Sequence, residues 1–373
     1  MANAQKKSKN SKPRRKPLLG SILVVAVVLL VATILCFGYR QASALHCETS
    51  NLPVKTSADG QAIYSVTGWL CARGSFTGKT VQLLVSGVSY DHNYWDFPYQ
   101  PNNYSYVRAA TKAGYATFNF DRIGVGLSDK PPANDVTIPA EAYVAHELIQ
   151  DLRQGKVSGT KFANIIAVGH SMGASILSVE GGTYNDANGL ILADSLHQAN
   201  TAKQAQLTTT RYPAVQDPKF KDAGLPDGYL TTKPGTRGDG YYDTKYADPN
   251  VVAKDEALKQ TATTGEFATL AQGRDPQFSK AIKTPVLLVV GQNDSINCNG
   301  AAGLSCKDSA AIMAREKDNF SPAACLEAFV LPNSGHDTNL HYNAKDWFKA
   351  ANDWADKRIG KNSTTQPTDA CRV

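Results

Sequence analysis

Three residue types that together can activate a hydroxyl for attack on an acyl carbon occur in this sequence in a usable order. Gly169-His170-Ser171-Met172-Gly173 is a G-x-S-x-G pattern, preceded by the apolar run Asn164–Gly169 and followed by Ala174-Ser175-Ile176-Leu177, which reads as helix. In that strand-to-helix context the two glycines permit a sharp turn with Ser171 at its apex, and the Met172 N–H at the helix start can face a developing oxyanion. A serine hydroxyl is a weak nucleophile at neutral pH and needs a positioned base, which in turn needs an orienting acid. Asp294 follows the apolar run Val286–Gly291, and His336 follows Leu326–Leu331 within Asn333-Ser334-Gly335-His336-Asp337. Both stand just past the end of a strand-like run, in the chain order serine, acid, histidine that such a turn calls for. The chemistry implied is acyl transfer, with Ser171 as nucleophile, His336 as base and Asp294 as the acid that orients it.

Asp194 also ends a strand-like run, Gly189–Asp194, and stands as the alternative acid. Among the other histidines, His170 flanks the nucleophile with its side chain expected to point away, and His146 and His341 read as helix or packing residues. His92 precedes the nucleophile in the chain, so it is not taken as the base. The loop after the run Val81–Gly87 should supply a second oxyanion donor, and Val88 is the candidate to act with Met172. In the same loop Tyr90, His92 and Trp95 are candidates to line the substrate pocket. There is no C-x-x-C and no clustered histidine spacing, so no metal is expected. Gly124-x-Gly126 lacks the later glycine of a dinucleotide loop, so no nucleotide or other cofactor is expected either.

The elements that must hold these residues are legible as short β-rich runs alternating with helical patterns from position 60 onward, the mark of βαβ units and a mostly parallel sheet flanked by helices. Strands are expected at Ala62–Cys71, Val81–Gly87, Tyr115–Phe120, Asn164–Gly169, Gly189–Asp194, Val286–Gly291 and Leu326–Leu331; helices are expected at Tyr104–Ala113, Ala140–Arg153 and His341–Lys357. Between residues 195 and 283 the alternation stops and turn signals multiply, with a helix expected over Val252–Leu270. An insertion between two core strands reads as a cap over the site, since loops at the carboxyl ends of parallel strands are where such sheets bind ligands. The organisation is then a tail and apolar segment over 1–44, core over 45–194, cap over 195–283 and core again over 284–373.

The net charge of +6 belongs to the tail. Lys6, Lys7, Lys9, Lys12, Arg14, Arg15, Lys16 and Arg40 stand in the first forty residues without one acid, and removing those eight charges turns +6 into −2. No basic face is left for a nucleic acid. The uncharged run from Leu18 to Gly38 is long enough to cross a hydrocarbon core, with the basic cluster held in the cytoplasm and the rest exported. It reads either as an uncleaved anchor, from its length, or as a signal peptide cut at Ala42-Ser43-Ala44. Six cysteines beyond that run suit an oxidising compartment; the pairing expected is Cys47 with Cys71, Cys298 with Cys306, and Cys325 with Cys371. Asn103, Asn319 and Asn362 head N-x-S/T triplets, glycosylation acceptors in a eukaryotic secretory route.

Asp121-Arg122-Ile123-Gly124-Val125-Gly126-Leu127-Ser128-Asp129-Lys130-Pro131 resembles the D-x-R-G-x-G-x-S-D-x-P signature of the α/β-hydrolase fold family, with Ile123 interposed between Arg122 and Gly124. With the G-x-S-x-G turn, Asp294 and the N-S-G-H-D run, the resemblance covers roughly residues 60–195 and 283–358 and leaves the insertion unmatched. Where the family usually has His-Gly after the third core strand, this chain has Ser86-Gly87. Serine at the turn sets it apart from the related epoxide hydrolases and haloalkane dehalogenases, which use aspartate. The resemblance implies an esterase-like serine hydrolase acting on a small-molecule or lipid-like ester without a cofactor. An acyltransferase, a cofactor-free haloperoxidase and a catalytically silent binding protein are the other uses of the same fold.

Overall fold

In chain order the strands are β1 (Leu45–Val54), β2 (Tyr64–Arg73), β3 (Val81–Val85), β4 (Ala116–Phe120), β5 (Ile165–His170), β6 (Gly189–Ala193), β7 (Arg211–Pro213), β8 (Tyr229–Thr232), β9 (Ala262–Thr263), β10 (Val286–Gly291) and β11 (Glu327–Leu331). This computed structural model describes residues 1–2 and 44–364. The basic cluster, the apolar segment Leu18–Gly38 and Cys371 lie outside the described residues. Among those described, no helix is long and apolar enough to cross a membrane.

Eight strands form one sheet in the order β1-β2-β4-β3-β5-β6-β10-β11. β1 with β2 and β2 with β4 are antiparallel, and every pair from β4 to β11 is parallel. The principal helices are α1 (Tyr106–Ala113), α2 (Ile138–Gln154), α3 (Met172–Thr183), α4 (Thr201–Thr209), α5 (Pro249–Leu258), α6 (Ser309–Glu316) and α7 (Ala344–Arg358). Successive strand residues point to opposite faces, and the central strands sort accordingly. Leu83, Val85, Ile165, Ala167, Leu192 and Leu288 enter one core with α2, α3 and α6. Leu84, Ile166, Val168, Ile191, Leu287 and Val289 enter the other with α1 and α7. Strands covered on both faces are apolar almost throughout, which is why these runs stand out in the sequence; buried Gln82 in β3 is an exception, bonded to Asn352 at 3.1 Å. At the start of α2, the Thr137 hydroxyl accepts from the Ala140 N–H and Pro139 occupies the first turn.

Several elements differ from the sequence reading, which expected none of β7, β8, α4 and α6. β1 was not expected; it is an edge strand whose side chains are mostly exposed, so it lacks an apolar signature. It is joined to β2 by the Cys47–Cys71 disulfide between residues directly opposite in register. The helix expected over Val252–Leu270 is broken. α5 stops at Leu258, the β-branched stretch after it extends so that Ala262 and Thr263 pair with β8, and a new helix starts at Thr264. Thr263 caps that helix reciprocally with Glu266, a box that favours a fresh start over continuation.

Residues 195–283 run between β6 and β10 and hold the small antiparallel sheet β7-β8-β9. A buried ion pair ties this insertion to the core. Arg237, fully buried, donates to both oxygens of Asp255 at 2.9 and 3.0 Å and to the Ser89 hydroxyl at 2.8 Å. Its guanidinium lies 4.2 Å from the ring centre of Tyr90. The Tyr90 hydroxyl sits 3.2 Å from Asp255 and donates to Asp337, while Tyr242 donates to Asp255 at 3.0 Å. Removing one partner of such a pair strands the other in low dielectric. Asp255→Asn should lower the unfolding free energy by about 3–5 kcal/mol, read from denaturant midpoints. Replacing both partners by apolar residues, Arg237→Met with Asp255→Leu, should recover most of that loss. A double variant no more stable than Asp255→Asn would show that the pair does not act as a unit.

Candidate active site

The turn between β5 and α3 carries Ser171 in a conformation that serine rarely adopts, φ 52° and ψ −114°. Close approach on both sides holds it there. A Cβ on Gly173 would sit 2.2 Å from the Val85 carbonyl oxygen, and one on Gly169 would sit 2.6 Å from the Ala174 nitrogen. Only glycine lets β3, β5 and α3 come so near, and the Ser171 N–H is fixed to the Ala193 carbonyl at 2.8 Å.

The Ser171 hydroxyl lies 2.8 Å from His336 Nε2, and His336 Nδ1 lies 3.0 Å from Asp294 Oδ2. The three side chains, from loops after β5, β10 and β11, therefore form one hydrogen-bonded chain. Asp294 is wholly buried; its carboxylate also accepts from the Ile296 N–H at 2.8 Å and the Asn297 amide at 2.7 Å. Burial pushes this carboxyl up, but His336 and these donors outweigh it and hold it below the ordinary range. Burial pushes His336 down, yet the carboxylates around it, Asp294 first, raise it to about 9. The Cys298–Cys306 disulfide closes the loop that follows Asp294. Cys325 is also in a disulfide; its expected partner, Cys371, lies outside the described residues.

Asp194 stands close by but faces other partners: its carboxylate accepts from the Gly291 N–H at 2.9 Å and the Thr338 hydroxyl at 2.8 Å. Burial and Asp294 raise it well above the ordinary range, and its two hydrogen bonds tie the loops after β10 and β11 together. The loop of His336 is braced from the insertion. The N–H groups of His336 and Asp337 donate to the Tyr241 carbonyl at 2.9 and 3.1 Å. His341 Nε2 accepts from the Gly335 N–H at 2.9 Å and the Asp243 N–H at 3.2 Å. Burial holds His341 down at about 4, so it is a neutral acceptor at physiological pH. Asp337, beside His336, is raised to about 7 by burial and by Asp255.

Val88 and Met172 both line the cavity beside Ser171. The loop before Val88 is anchored by Arg122, which donates to the Gly87 carbonyl at 3.2 Å and pairs with Glu141 and, at 2.7 Å, with Glu266. Tyr90, His92 and Trp95 do not line that cavity, which corrects the sequence expectation. Tyr90 turns inward to Asp337 and Asp255. His92 pairs with Asp121 at 2.8 Å and stacks on Trp69. Trp95 is buried against Tyr106 and Trp347. Tyr90 and Trp95 are buried, while His92 stays partly exposed beside Asp121. His170 points away from the Ser171 hydroxyl: it stacks on Tyr94 at 4.2 Å, and its Nε2 lies 3.0 Å from the His336 carbonyl.

The cavity itself measures about 160 Å³. Besides Ser171, His336, Val88 and Met172 its wall includes Ser175, Ser195 and residues of the insertion, among them Leu207, Arg211, Tyr241, Phe267 and Arg274. Sequence reading placed the insertion over the site but named none of its wall residues, because scattered residues of a polar segment carry no pattern. A histidine at a serine oxygen with a buried carboxylate behind it is an arrangement that can activate a hydroxyl.

Among curated protein sequences nothing matches this chain. Solved structures are similar to it in fold. A soluble variant of monoglyceride lipase from Saccharomyces cerevisiae is 18% identical, with 84% of this chain and 95% of that chain covered at a TM-score of 0.55. E-2-(acetamidomethylene)succinate hydrolase is 16% identical, with 83% and 100% covered at 0.53. An esterase of Pyrococcus furiosus is 13% identical, with 84% and 94% covered at 0.50. The profile described as Alpha/beta hydrolase family matches residues 82–351. Spanning most of the sheet and the whole insertion, that match makes this chain a member of the alpha/beta hydrolase family.

Proposed function

We propose that this protein is a serine hydrolase of carboxylic esters that works through Ser171, His336 and Asp294. The observation that carries the reading is the unbroken path from the Ser171 hydroxyl through His336 to buried Asp294. His336 takes the hydroxyl proton as Ser171 Oγ bonds to the ester carbon, and the oxyanion rests on the N–H groups of Met172 and Val88. The bond to the alcohol oxygen then breaks, and the alcohol leaves with the proton from His336. Water, deprotonated by His336, attacks the acyl-enzyme and releases the carboxylic acid, returning the proton to Ser171. The reading includes export, with the chain anchored by its N-terminal apolar segment or released after cleavage near Ala44. Disulfides at Cys47–Cys71 and Cys298–Cys306 support an oxidising compartment.

A fluorophosphonate probe should label Ser171, located by mass spectrometry, and labelling should vanish in Ser171→Ala and His336→Ala. A folded wild-type protein that takes no label would overturn the reading. Since His336 must be neutral to accept a proton and is held at about 9, kcat/KM for a neutral ester should rise from pH 6 towards pH 9. A profile already flat from pH 6 would contradict that electrostatic assignment. Asp294→Asn should cost on the order of 10³–10⁴ in kcat, as expected when the acid behind the base is lost. Asp194→Asn should cost far less, and an equal loss would exchange the roles of the two acids.

A further inference from the structure

Two cations line the cavity beside Ser171, and neither has an acidic partner among the described residues. Arg211 places its guanidinium 3.7 Å from the Phe267 ring centre and makes no side-chain hydrogen bond among the described residues. Arg274 meets the Gln204 amide, whose oxygen, once turned to face it, accepts from both terminal nitrogens at 3.0 and 3.2 Å. Its Nε is buried without a partner. The chain's fully buried guanidiniums are paired: Arg122 has Glu141 and Glu266, and Arg237 has Asp255. Arg211 and Arg274, half-buried on the cavity wall, have no such pair. Burial lowers the pKa of both Arg211 and Arg274 from the ordinary value, and for Arg274 the more distant charges of Asp294 and Glu316 offset only part of it. The one carboxyl on the wall, Asp194, is already bonded to Gly291 and Thr338.

We infer that the cavity takes an ester carrying a carboxylate, and that Arg211 and Arg274 bind that carboxylate while Ser171 attacks the ester carbon. The inference rests on the hydrolase reading above. A carboxylate would supply the missing counter-charge and accept from two planar donor groups, a match that guanidinium makes better than ammonium. The apolar side of the wall, with Leu207, Phe267 and Leu270, suits a short hydrocarbon link between the ester and the anion.

The test compares matched ester pairs on the purified protein. One pair is 4-nitrophenyl hydrogen adipate against 4-nitrophenyl hexanoate, with the charge on the acyl side. The other is the hexanoate ester of 4-hydroxybenzoate against that of its methyl ester, with the charge on the alcohol side. In at least one pair, kcat/KM should favour the charged ester by about tenfold or more, a typical effect of charged hydrogen bonds. The preference should shrink towards unity in Arg211→Gln and Arg274→Gln, chiefly through KM. In Arg274→Glu the sign of the favoured charge should reverse, with a trimethylammonium ester preferred over its neutral match. If Ser171 takes the fluorophosphonate label yet neither pair shows a preference for charge, the inference fails and the hydrolase reading stands. If Ser171 takes no label, the hydrolase reading fails and the inference falls with it.

Discussion

The placement of the Ser171 hydroxyl hangs on a backbone conformation that serine would not choose for itself. A non-glycine residue at φ 52° and ψ −114° costs on the order of 1–3 kcal/mol and persists only where its surroundings over-determine it. Here they do. β3 and β5 converge on the start of α3 so closely that any side chain at position 169 or 173 would collide with backbone. The two cores exist to hold that convergence, one on each face of the sheet. The strain also lifts the hydroxyl clear of the strand end, where histidine and acid arrive from loops more than a hundred residues further along the chain.

A second constraint concerns how the base is held. His336 is not positioned by the core sheet alone. Its own N–H is fixed to Tyr241, the next residue is bonded to Tyr90, and Tyr90 lies under Arg237. The insertion therefore covers the cavity and at the same time sets the loop that carries the base. Polar groups buried in this number are stabilising only when satisfied together, which makes the contact between insertion and core cooperative.

The sheet and the loops of Ser171, Asp294 and His336 were legible in the sequence because each residue stands a few positions past a strand run, apolar throughout before Ser171 and Asp294 and broken by Glu327 in the half-buried edge strand before His336. Burial on both faces writes that signal, and it carries the loop register with it. The insertion was not legible in the same way. Arg237 and Asp255, in a stretch rich in threonine, lysine and aspartate, look like solvated surface, and only the packing reveals that both are buried. Tyr90, His92 and Trp95 were misplaced for a related reason. An aromatic loop next to a cleft can turn in or out, and the choice was made by Asp337, Asp121 and Trp347, residues far away in sequence. The Asp121–Pro131 motif was visible as a pattern, but the hold of Arg122 on the Gly87 carbonyl was not.

The tie between Arg237, Tyr90 and the residue beside His336 also bears on how such a protein can diversify. An insertion that merely sits over a cleft is a module, free to be exchanged, lengthened or deleted while the machinery beneath it keeps running. This one is spliced into the machinery. Exchanging it wholesale would disturb the loop that carries His336 along with the cavity wall, whereas wall residues can be replaced singly. The fold leaves the cavity open to gradual change and closed to abrupt change.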